Sequence, residues 1–580
     1  MASASQLDDL RRWHAGAGGY LHPSISIEYN ETQGVHWKTT SNVSSDERLC
    51  TVPHSLALSS LNALVDDAFP VFRNRGLPVE AIGYFFLMHE YINRERSFWR
   101  HYLETLPGPK ADHRTPFWFD AEDSAYLEDT DVLHTAKSRM DAHKRNYATG
   151  VSMIEQANID SLPYTWLVFR LMTGPEGQRQ TALVDMSRAS AEELDFPVLF
   201  PVLDIANHAP NARVSWQFDP GQFSMSTKEI LQPGSEVLNN YGPKRNDELL
   251  LGYGFCLADN PNEKILMTLK PPPEGLQEDL LRVHPGYFTN GEWSSEKATF
   301  AIGPMVLDAR APAAMFHEFP EPLLELLVYM LRHERGLPFS FVERPLHYLT
   351  ADVGRQYLPH ITRMIVQSLL PKLAKLQSST PPQPPSNQRQ EQARIYRGGQ
   401  IRILDSITGG LRNYLRSLLY PTEADPRGPL VVTLEGLLEL LRLRGNENMV
   451  AEFLNGIGAS SGTTNPEQLR EAGWEDDAFV LLLCFLYSLC DMCPVLPEYL
   501  ADLGQYVPSS EELEQAGSSL ELVAAAANAC PGSFWDDSRW SENFIAALGG
   551  QLLKYESFVM MIPHTANGGD ARLVTYVHGE

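Results

Sequence analysis

Two polar motifs separated by a predicted β-hairpin constrain the fold of this chain more than any other feature. The first, "PVLDIANHAP", carries Asp204, Asn207 and His208 directly after an apolar, strand-like run. The second, "NNYGPKRNDELLLGYGF", places Tyr241 before a Gly-Pro turn and repeats a Tyr-Gly pair near its end. Each motif alone is weak, because polar residues at a strand end usually cap or turn the chain. Their order along one chain is far more specific.

The residues between and after these motifs predict the local structure. "RVSWQF" and "FSMSTKEIL" are strand-like and are joined by the turn "DPGQ". Asn246 is a suitable N-cap for the helix that follows, and Asp247 and Glu248 suit its positive end. Gly252 and Gly254 weaken its continuation, so the helix is predicted to end there.

Length and charge limit the function classes. A chain of 580 residues exceeds one hydrophobic core and predicts two or three domains. The formal charge of −26 argues against nucleic acid as the main partner and favours a basic protein. We expect no membrane span and no secretory signal, which predicts a cytoplasmic or nuclear protein. Cys490 and Cys493 form a CxxC without partner ligands, so no metal site is predicted.

Periodicity predicts strands first, then helices, then strands again. "SISIEYN" and "RLCTVPHSLALS" read as strands, and "YFFLMHEYINRERSFWRHYLETLP" as one long amphipathic helical segment ending at Pro107. After about Lys270, Leu and Ile recur at helical spacing. The predicted organisation is a helical lead-in (1–23), a β-rich domain (24–269) with a helical insert (about 62–190), and a helical C-terminal domain (270–580) with a flexible Pro/Gln-rich segment (378–392).

The combined motifs resemble the SET-domain protein-lysine methyltransferases, in the branch typified by the Rubisco large-subunit methyltransferase. "LCTVPHSLALS" and "SFWRHYLETLP" resemble that family's N-terminal strand-and-turn and its insert. The resemblance implies an α+β fold. A SET-domain β fold with a helical insert and a knot-like C-terminal segment would precede a mostly α-helical, substrate-binding-like domain.

The resemblance also implies the cofactor, S-adenosylmethionine, and the site residues. Asn207 and His208 would bind the cofactor, Asp204 would support that segment, and Tyr241 would be catalytic at the mouth of a lysine channel. The full cofactor-binding set implied is Gln33, Gly34, Val35, Asp204, Asn207, His208, Tyr241 and Phe255. The implied substrate channel comprises Tyr253, Phe255 and Trp216.

The predicted chemistry is an in-line methyl transfer, for which alignment supplies most of the catalysis. The lysine must first lose a proton, and its free pKa is about 10.4. An apolar aromatic channel disfavours the ammonium form. The Tyr241 hydroxyl would orient the amine.

Two positions depart from the family pattern. His36 stands where the family carries the second glycine of a G-x-G turn, although Gly34 is present. The family's Ser-Arg pair after "TW" is replaced by Leu171, Met172 and the residues that follow, with Arg170 displaced in sequence. Both departures affect expected cofactor contacts and leave Tyr241 untouched.

These observations predict a monomeric protein-lysine N-methyltransferase. Many histone-directed SET enzymes carry a cysteine-rich, zinc-bearing tail, and no such segment follows Phe255, so the resemblance implies a non-histone substrate. The acidic net charge favours a basic one. The alternative is a SET-fold scaffold that binds a protein partner and no longer transfers methyl groups. A third hypothesis is methylation of another nucleophile, such as histidine or a small molecule.

Overall fold

The computed structural model describes residues 2–73, 76–173, 178–179, 197–305, 312–334, 336–350, 357–379, 381, 384–419, 430–432, 434–443, 445–488, 507–547, 557–563 and 569–576. The chain folds into two compact units. The first unit contains residues 1–263 and 375–401, and the second contains residues 264–374 and 402–580. Within the described ranges, no helix has both the length and the apolar character needed to cross a membrane.

The first unit alternates short strands with helices, as the periodicity predicts. Its strands are β1 (Tyr20–Leu21), β2 (Ile25–Asn30), β3 (Gly34–Thr39), β4 (Arg48–Pro53), β5 (Leu58–Ser59), β6 (Gln178–Arg179), β7 (Pro197–Leu199), β8 (Val214–Asp219), β9 (Gln222–Thr227) and β10 (Glu236–Val237). Its helices before residue 264 are α1 (Ala4–Gly16), α2 (Ser60–Val65), α3 (Val79–Ile92), α4 (Arg100–Leu103), α5 (Ala121–Ala125), α6 (Asp131–Gln156), α7 (Trp166–Met172) and α8 (Asn246–Tyr253).

Three small sheets organise the first unit. Their strand orders are β1-β4-β9-β8, β10-β3-β2 and β5-β7-β6. The predicted β8–β9 hairpin is confirmed, with Asp219 paired to Gln222 and Gly221 at a φ of +84° in the turn. Apolar side chains of β3, β4 and β9, including Trp37, Val52 and Phe223, are fully buried in one core. The buried core of these sheets therefore supports the two polar motifs, which follow β7 and β10.

The helical insert has a core of its own. Phe85 on α3 packs against Phe169 on α7 with ring centroids 4.8 Å apart. The long segment predicted to reach Pro107 is not one helix, because α3 ends at Ile92 and α4 covers only Arg100–Leu103. The Asn93 side-chain amide donates to the His89 carbonyl at 2.9 Å. Such local side-chain bonds compete with helix continuation.

The predicted N-cap of α8 is wrong by one position. Arg245 is the N-cap, and Asn246 is the first helical residue. The Glu248 carboxylate accepts a hydrogen bond from the Arg245 backbone N–H at 3.1 Å, which satisfies the helix start. Asn246 instead uses its side chain to bond both the N–H and the C=O of Leu257, at 2.8 and 2.9 Å. The predicted end at Gly254 is confirmed by its left-handed φ of +76°.

The second unit is mostly helical, so the predicted α+β class with a helical C-terminal region is confirmed. The helices from residue 264 onward are α9 (Glu274–Val283), α10 (Glu321–Glu334), α11 (Pro345–Thr350), α12 (Leu358–Ser378), α13 (Gln388–Leu419), α14 (Leu434–Leu443), α15 (Glu447–Ser461), α16 (Pro466–Glu471), α17 (Glu475–Ser488) and α18 (Ser510–Ala529). The strands are β11 (Ile265–Thr268), β12 (Phe288–Thr289), β13 (Glu292–Trp293), β14 (Thr299–Ile302), β15 (Leu430–Val432), β16 (Ser557–Pro563) and β17 (Gly569–Tyr576). The sheet β15-β17-β16 has no counterpart in the sequence prediction.

The Pro/Gln-rich segment 378–392 differs from its prediction at its C-terminal end. Gln388 begins α13, so the last residues of the segment are helical and belong to the first unit. Arg389 and Gln390 both hydrogen-bond Asp123 there. The composition suggested solvation, but these polar side chains have buried polar partners far away in sequence.

Candidate active site

The two polar motifs of the sequence lie side by side in the first unit. The Asn239 backbone N–H donates to the Asn207 carbonyl at 2.7 Å, and the Ala209 N–H donates to the Asn239 carbonyl at 2.9 Å. These bonds form an isolated parallel bridge between His208 and Asn239. The pairing brings the residues before Tyr241 into register with the Asn207-His208 pair.

The two asparagines before Tyr241 have separate structural roles. The Asn239 side-chain oxygen accepts hydrogen bonds from the Trp216 indole at 3.1 Å and from the next backbone N–H at 2.8 Å. The Asn240 side-chain oxygen accepts from the Gly242 N–H at 2.9 Å. Gly242 has a φ of +94°, which explains the glycine in this turn. The asparagines thus fix the backbone on both sides of Tyr241.

Tyr241 lies at the centre of an aromatic cluster. Its ring is stacked on His208 with centroids 4.9 Å apart and is 4.8 Å from Tyr253. Its hydroxyl donates to the Ala206 carbonyl at 2.9 Å. Burial, and next the nearby Tyr253, raise the pKa of Tyr241, so the phenol stays neutral near neutral pH.

His208 carries an unpartnered ring nitrogen. Its Nδ1 accepts from the Tyr241 backbone N–H at 3.1 Å, which leaves the proton on Nε2. Nε2 is buried and has no hydrogen-bond partner among the residues that the structure describes. Burial lowers the pKa of His208, against the opposing effect of the Asn239 backbone, and favours the neutral ring. A buried N–H without a partner is costly, and a bound ligand would relieve that cost.

The turn between β2 and β3 is tied to the first motif. The Asn207 side-chain amide donates to the Gln33 carbonyl at 3.2 Å and to the Glu236 carboxylate at 2.7 Å. The Gln33 side chain donates to the other oxygen of Glu236. Gly34 follows with a φ of +70°, and a Cβ built on it would meet no atom within 4 Å. Its backbone is therefore open on that side.

The two departures from the family pattern have defined structural outcomes. The His36 ring is buried, and its Nδ1 bonds the Gly34 carbonyl at 3.0 Å, so it does not fill the open space beside Gly34. Arg170 donates to the Phe117 carbonyl, and its guanidinium carbon lies 4.1 Å from the centre of the Trp118 ring. Arg170 is thus held within the insert.

A cavity of about 390 Å³ lies beside Tyr241, and we call it the inner cavity. Asp204, Tyr253 and Val35 also line it, together with Leu171 and other residues of the insert. Asp204 is an exposed residue, and the surrounding protein atoms still desolvate its carboxyl group. Burial raises the pKa of Asp204 to about 7, against the opposing effect of a hydrogen bond from Tyr102. The inner cavity therefore combines aromatic walls with a carboxyl group that titrates near neutrality.

A second cavity of about 520 Å³, the outer cavity, also borders Tyr241. Trp216, Val214 and Asn240 line it. The predicted channel residues are thus divided, because Trp216 faces the outer cavity and Tyr253 the inner one. The Phe255 ring lies 6.3 Å from the rings of both His208 and Tyr253.

The residues predicted to hold S-adenosylmethionine fit that group in two respects. The unpartnered Nε2–H of His208 is a donor for a ring nitrogen of an adenine. The open backbone at Gly34 admits a ligand to a position that a side chain would block. Asn207 and Gln33 contribute by fixing the two segments together.

The side chains that commonly bind metals are dispersed in the part of the chain that the structure describes. Among the described residues, no group of three or more His, Cys, Asp or Glu side chains is arranged to hold a metal ion. Cys490 and Cys493 lie outside the described residues.

Several residues that shape the site were missed by the sequence prediction. Asn239 and Asn240 belong to the second motif, and Glu236 lies just before it, but none of the three is assigned to the site from the sequence alone. Tyr102 lies in "SFWRHYLETLP" and reaches Asp204 across a large sequence separation.

No family model matches the chain. It is 26% identical over 430 residues to the ribosomal lysine N-methyltransferase set10 of Schizosaccharomyces pombe (strain 972 / ATCC 24843), covering 70% of this chain and 72% of that relative. It is 23% identical over 275 residues to the actin-histidine N-methyltransferase of Homo sapiens, covering 45% of this chain and 44% of that relative. The chain thus spans under half of the human relative's length.

Solved structures show the same fold. The SET domain of LSMT bound to lysine and AdoHcy superposes with a TM-score of 0.56 at 18% identity, over 72% of this chain and 93% of that chain. Rubisco LSMT bound to AdoMet gives a TM-score of 0.54 at 18% identity, with the same coverage. The predicted resemblance to this SET-domain branch is confirmed. The chain has the SET-domain fold.

Proposed function

We propose that this chain is an S-adenosylmethionine-dependent protein-lysine N-methyltransferase that acts on a non-histone protein. The observation that carries the proposal is the parallel pairing of Asn207–Ala209 with Asn239. That pairing stacks His208 on Tyr241 and directs the Tyr241 hydroxyl to the Ala206 carbonyl, beside the inner cavity. A simple interaction module would not require an unpartnered imidazole N–H, an open glycine turn and a cavity in one place.

The residues have distinct proposed roles. S-adenosylmethionine supplies an electrophilic methyl group when bound. The Gln33–Val35 turn, Asn207 and His208 are proposed to hold it, with Phe255 as part of the aromatic wall. The Tyr241 hydroxyl donates to Ala206 and keeps lone pairs that accept from an amine N–H. Tyr253 and Tyr241 restrict the amine to one approach, which is the main requirement of a displacement reaction.

A basic protein is the proposed acceptor. The net charge of −26 attracts lysine-rich partners and repels nucleic acid. Similarity to a protein named as a ribosomal lysine N-methyltransferase supports ribosomal proteins as the first acceptors to try. We propose a monomer that works in the cytoplasm, the nucleus or both, since ribosomal proteins occur in both.

The test is methyl transfer from tritiated S-adenosylmethionine to salt-extracted ribosomal proteins. Wild type is expected to label at least one protein, and Tyr241→Phe to reduce the labelling rate by roughly 100-fold or more, because the positioned hydroxyl is lost. Tyr20→Phe, at an exposed tyrosine of β1, is the matched control and should label like wild type.

Acid hydrolysis of the labelled protein then identifies the modified amino acid. Labelled methyl-lysine supports the proposal. Labelled methyl-histidine would assign the activity named for the actin-histidine relatives instead. Absence of labelling with wild type would favour the scaffold hypothesis, whereas equal labelling by wild type and Tyr241→Phe would overturn the catalytic role of Tyr241.

A further inference from the structure

The inner cavity is chemically suited to a cation. Tyr84, Tyr102, Tyr241 and Tyr253 line it, and tyrosine faces attract ammonium groups. Among its described lining residues, Asp204 supplies the carboxylate, and none is lysine or arginine. An ammonium group that enters this cavity would therefore meet an anion without a competing lysine or arginine from those residues, and His113 is the one basic side chain among them.

Tyr102 fixes the orientation of that carboxylate. It lies on α4 with 3% of its surface exposed, and its hydroxyl donates to Asp204 Oδ2. Asp204 belongs to a short turn that begins at Leu203. A carboxylate has about four acceptor positions, so the tyrosine bond leaves capacity for an incoming N–H. Asp204 is exposed and lines the cavity.

We propose that Asp204 receives the substrate ammonium and accepts its proton, and that Tyr102 is a positioning residue that holds Asp204 for this step. The proposal rests on the proposed methyltransferase function. One N–H bond of the ammonium breaks and its electron pair remains on nitrogen. The proton moves to a carboxylate oxygen of Asp204, which becomes a neutral acid and later releases that proton to water. The neutral amine then has the lone pair that attacks the methyl group.

The titratable groups around Asp204 have shifted pKa values, so they do not change charge in the same pH range as Asp204. Burial, and next the charge of Asp204, raise the pKa of Cys50 on β4 and of Tyr102 on α4. The pKa of Tyr241 is also raised, mainly by burial. His113 lines the same cavity, and burial lowers its pKa. Near neutral pH these four groups stay neutral while Asp204, with a pKa of about 7, changes charge.

The test is the pH dependence of kcat/KM between about pH 6 and 10, with salt-extracted ribosomal protein as the limiting acceptor. For wild type, kcat/KM should rise through about pH 7 as Asp204 loses its proton. It should then stay level, because the enzyme binds the ammonium form of lysine. The kcat/KM of Asp204→Asn should be lower by roughly 100-fold at pH 7. It should increase tenfold per pH unit toward the lysine pKa of about 10.4. Without the carboxylate, only the free amine reacts.

Tyr102→Phe removes one hydrogen bond to the charged form of Asp204. Losing that bond should raise the pKa of Asp204, so the rising part of the kcat/KM profile should move up by about one pH unit. The level part of the profile should be retained. A merely structural role would lower the rate equally at every pH and leave the rising part in place. Phe is the conservative replacement for a buried tyrosine, so this variant decides the question even where Asp204→Asn does not fold.

Calorimetric binding of S-adenosylmethionine to each variant shows that the fold and cofactor site survive. A profile for Asp204→Asn that matches wild type in shape and rate would overturn the proposal for Asp204. An unshifted rising part in Tyr102→Phe would overturn the positioning role. Absence of methyl transfer by wild type would instead reject the proposed function, so the two failures are distinguishable.

Discussion

Two features of the structure require glycine at position 254, at the end of α8: a left-handed backbone conformation and a close approach to the insert. Its φ of +76° is left-handed, and a Cβ built on it would lie 2.7 Å from the backbone carbon of Arg114. Gly34 has a similar φ of +70° but open space on that side. Substituting alanine at Gly34 therefore measures the free-energy cost of the backbone conformation alone, whereas substituting it at Gly254 adds the cost of a steric clash.

Gly254→Ala and Gly34→Ala are a matched pair for unfolding measurements. We expect Gly34→Ala to lower the free energy of unfolding by about 1 kcal/mol, for the left-handed conformation alone. Gly254→Ala should cost roughly 2–4 kcal/mol, because the insert backbone must also move. Urea titration measures both. Equal losses at the two positions would contradict the contact between Gly254 and the insert.

The sequence identified the site residues within the motifs but not the residues that they contact in the fold. The capped helix and the Tyr-Gly turn follow from local preferences, so Tyr241, His208 and Gly254 could be singled out. Asp204 was predicted to support the cofactor segment, whereas the structure places it in the inner cavity, bonded to Tyr102. No local pattern reports a contact between residues so far apart in the chain.

At the scale of elements, the start of α13 stabilises the insert. Arg389 donates to the His113 carbonyl at 2.8 Å and lies 3.3 Å from the Asp123 carboxylate, whose side chain is 1% exposed. Gln392 accepts a hydrogen bond from the Cys256 N–H at 2.6 Å, directly after Phe255. This helix therefore holds both the insert and the end of the second motif.

Arg389→Ala tests that role. Removing the arginine leaves Asp123 buried with only amide donors, from Asn387 and Gln390, so we expect a loss of about 3 kcal/mol in unfolding free energy. Arg394→Ala on the same helix breaks an exposed pair with Glu391 and should cost less than about 0.5 kcal/mol. Similar losses for the two variants would argue against a stabilising contact at Asp123.

The Pro/Gln-rich composition of the segment before α13 explains why this contact was missed. A run of proline, serine and glutamine predicts solvation, because it offers little apolar surface to bury. Arg389 and Gln390 are ordered by polar partners rather than apolar ones. Those partners lie in the insert, so composition within the segment could not reveal them.

At the scale of the whole molecule, the predicted boundary at residues 269 and 270 lies close to the division between the two units at residues 263 and 264. A change from strand-like to helical periodicity located it. The return of residues 375–401 to the first unit was not predicted. Such a return depends on tertiary packing, whereas periodicity reports only the local conformation.

We expect the paired motifs of the first unit to bind S-adenosylmethionine despite His36 and the missing Ser-Arg pair. Calorimetric titration of the full chain with that cofactor tests it most directly. We expect micromolar binding by wild type and by Asn42→Ala, an exposed control. Asn207→Ala loses the links to Gln33 and Glu236 and should bind at least about tenfold more weakly. No binding by wild type at millimolar cofactor would contradict the account.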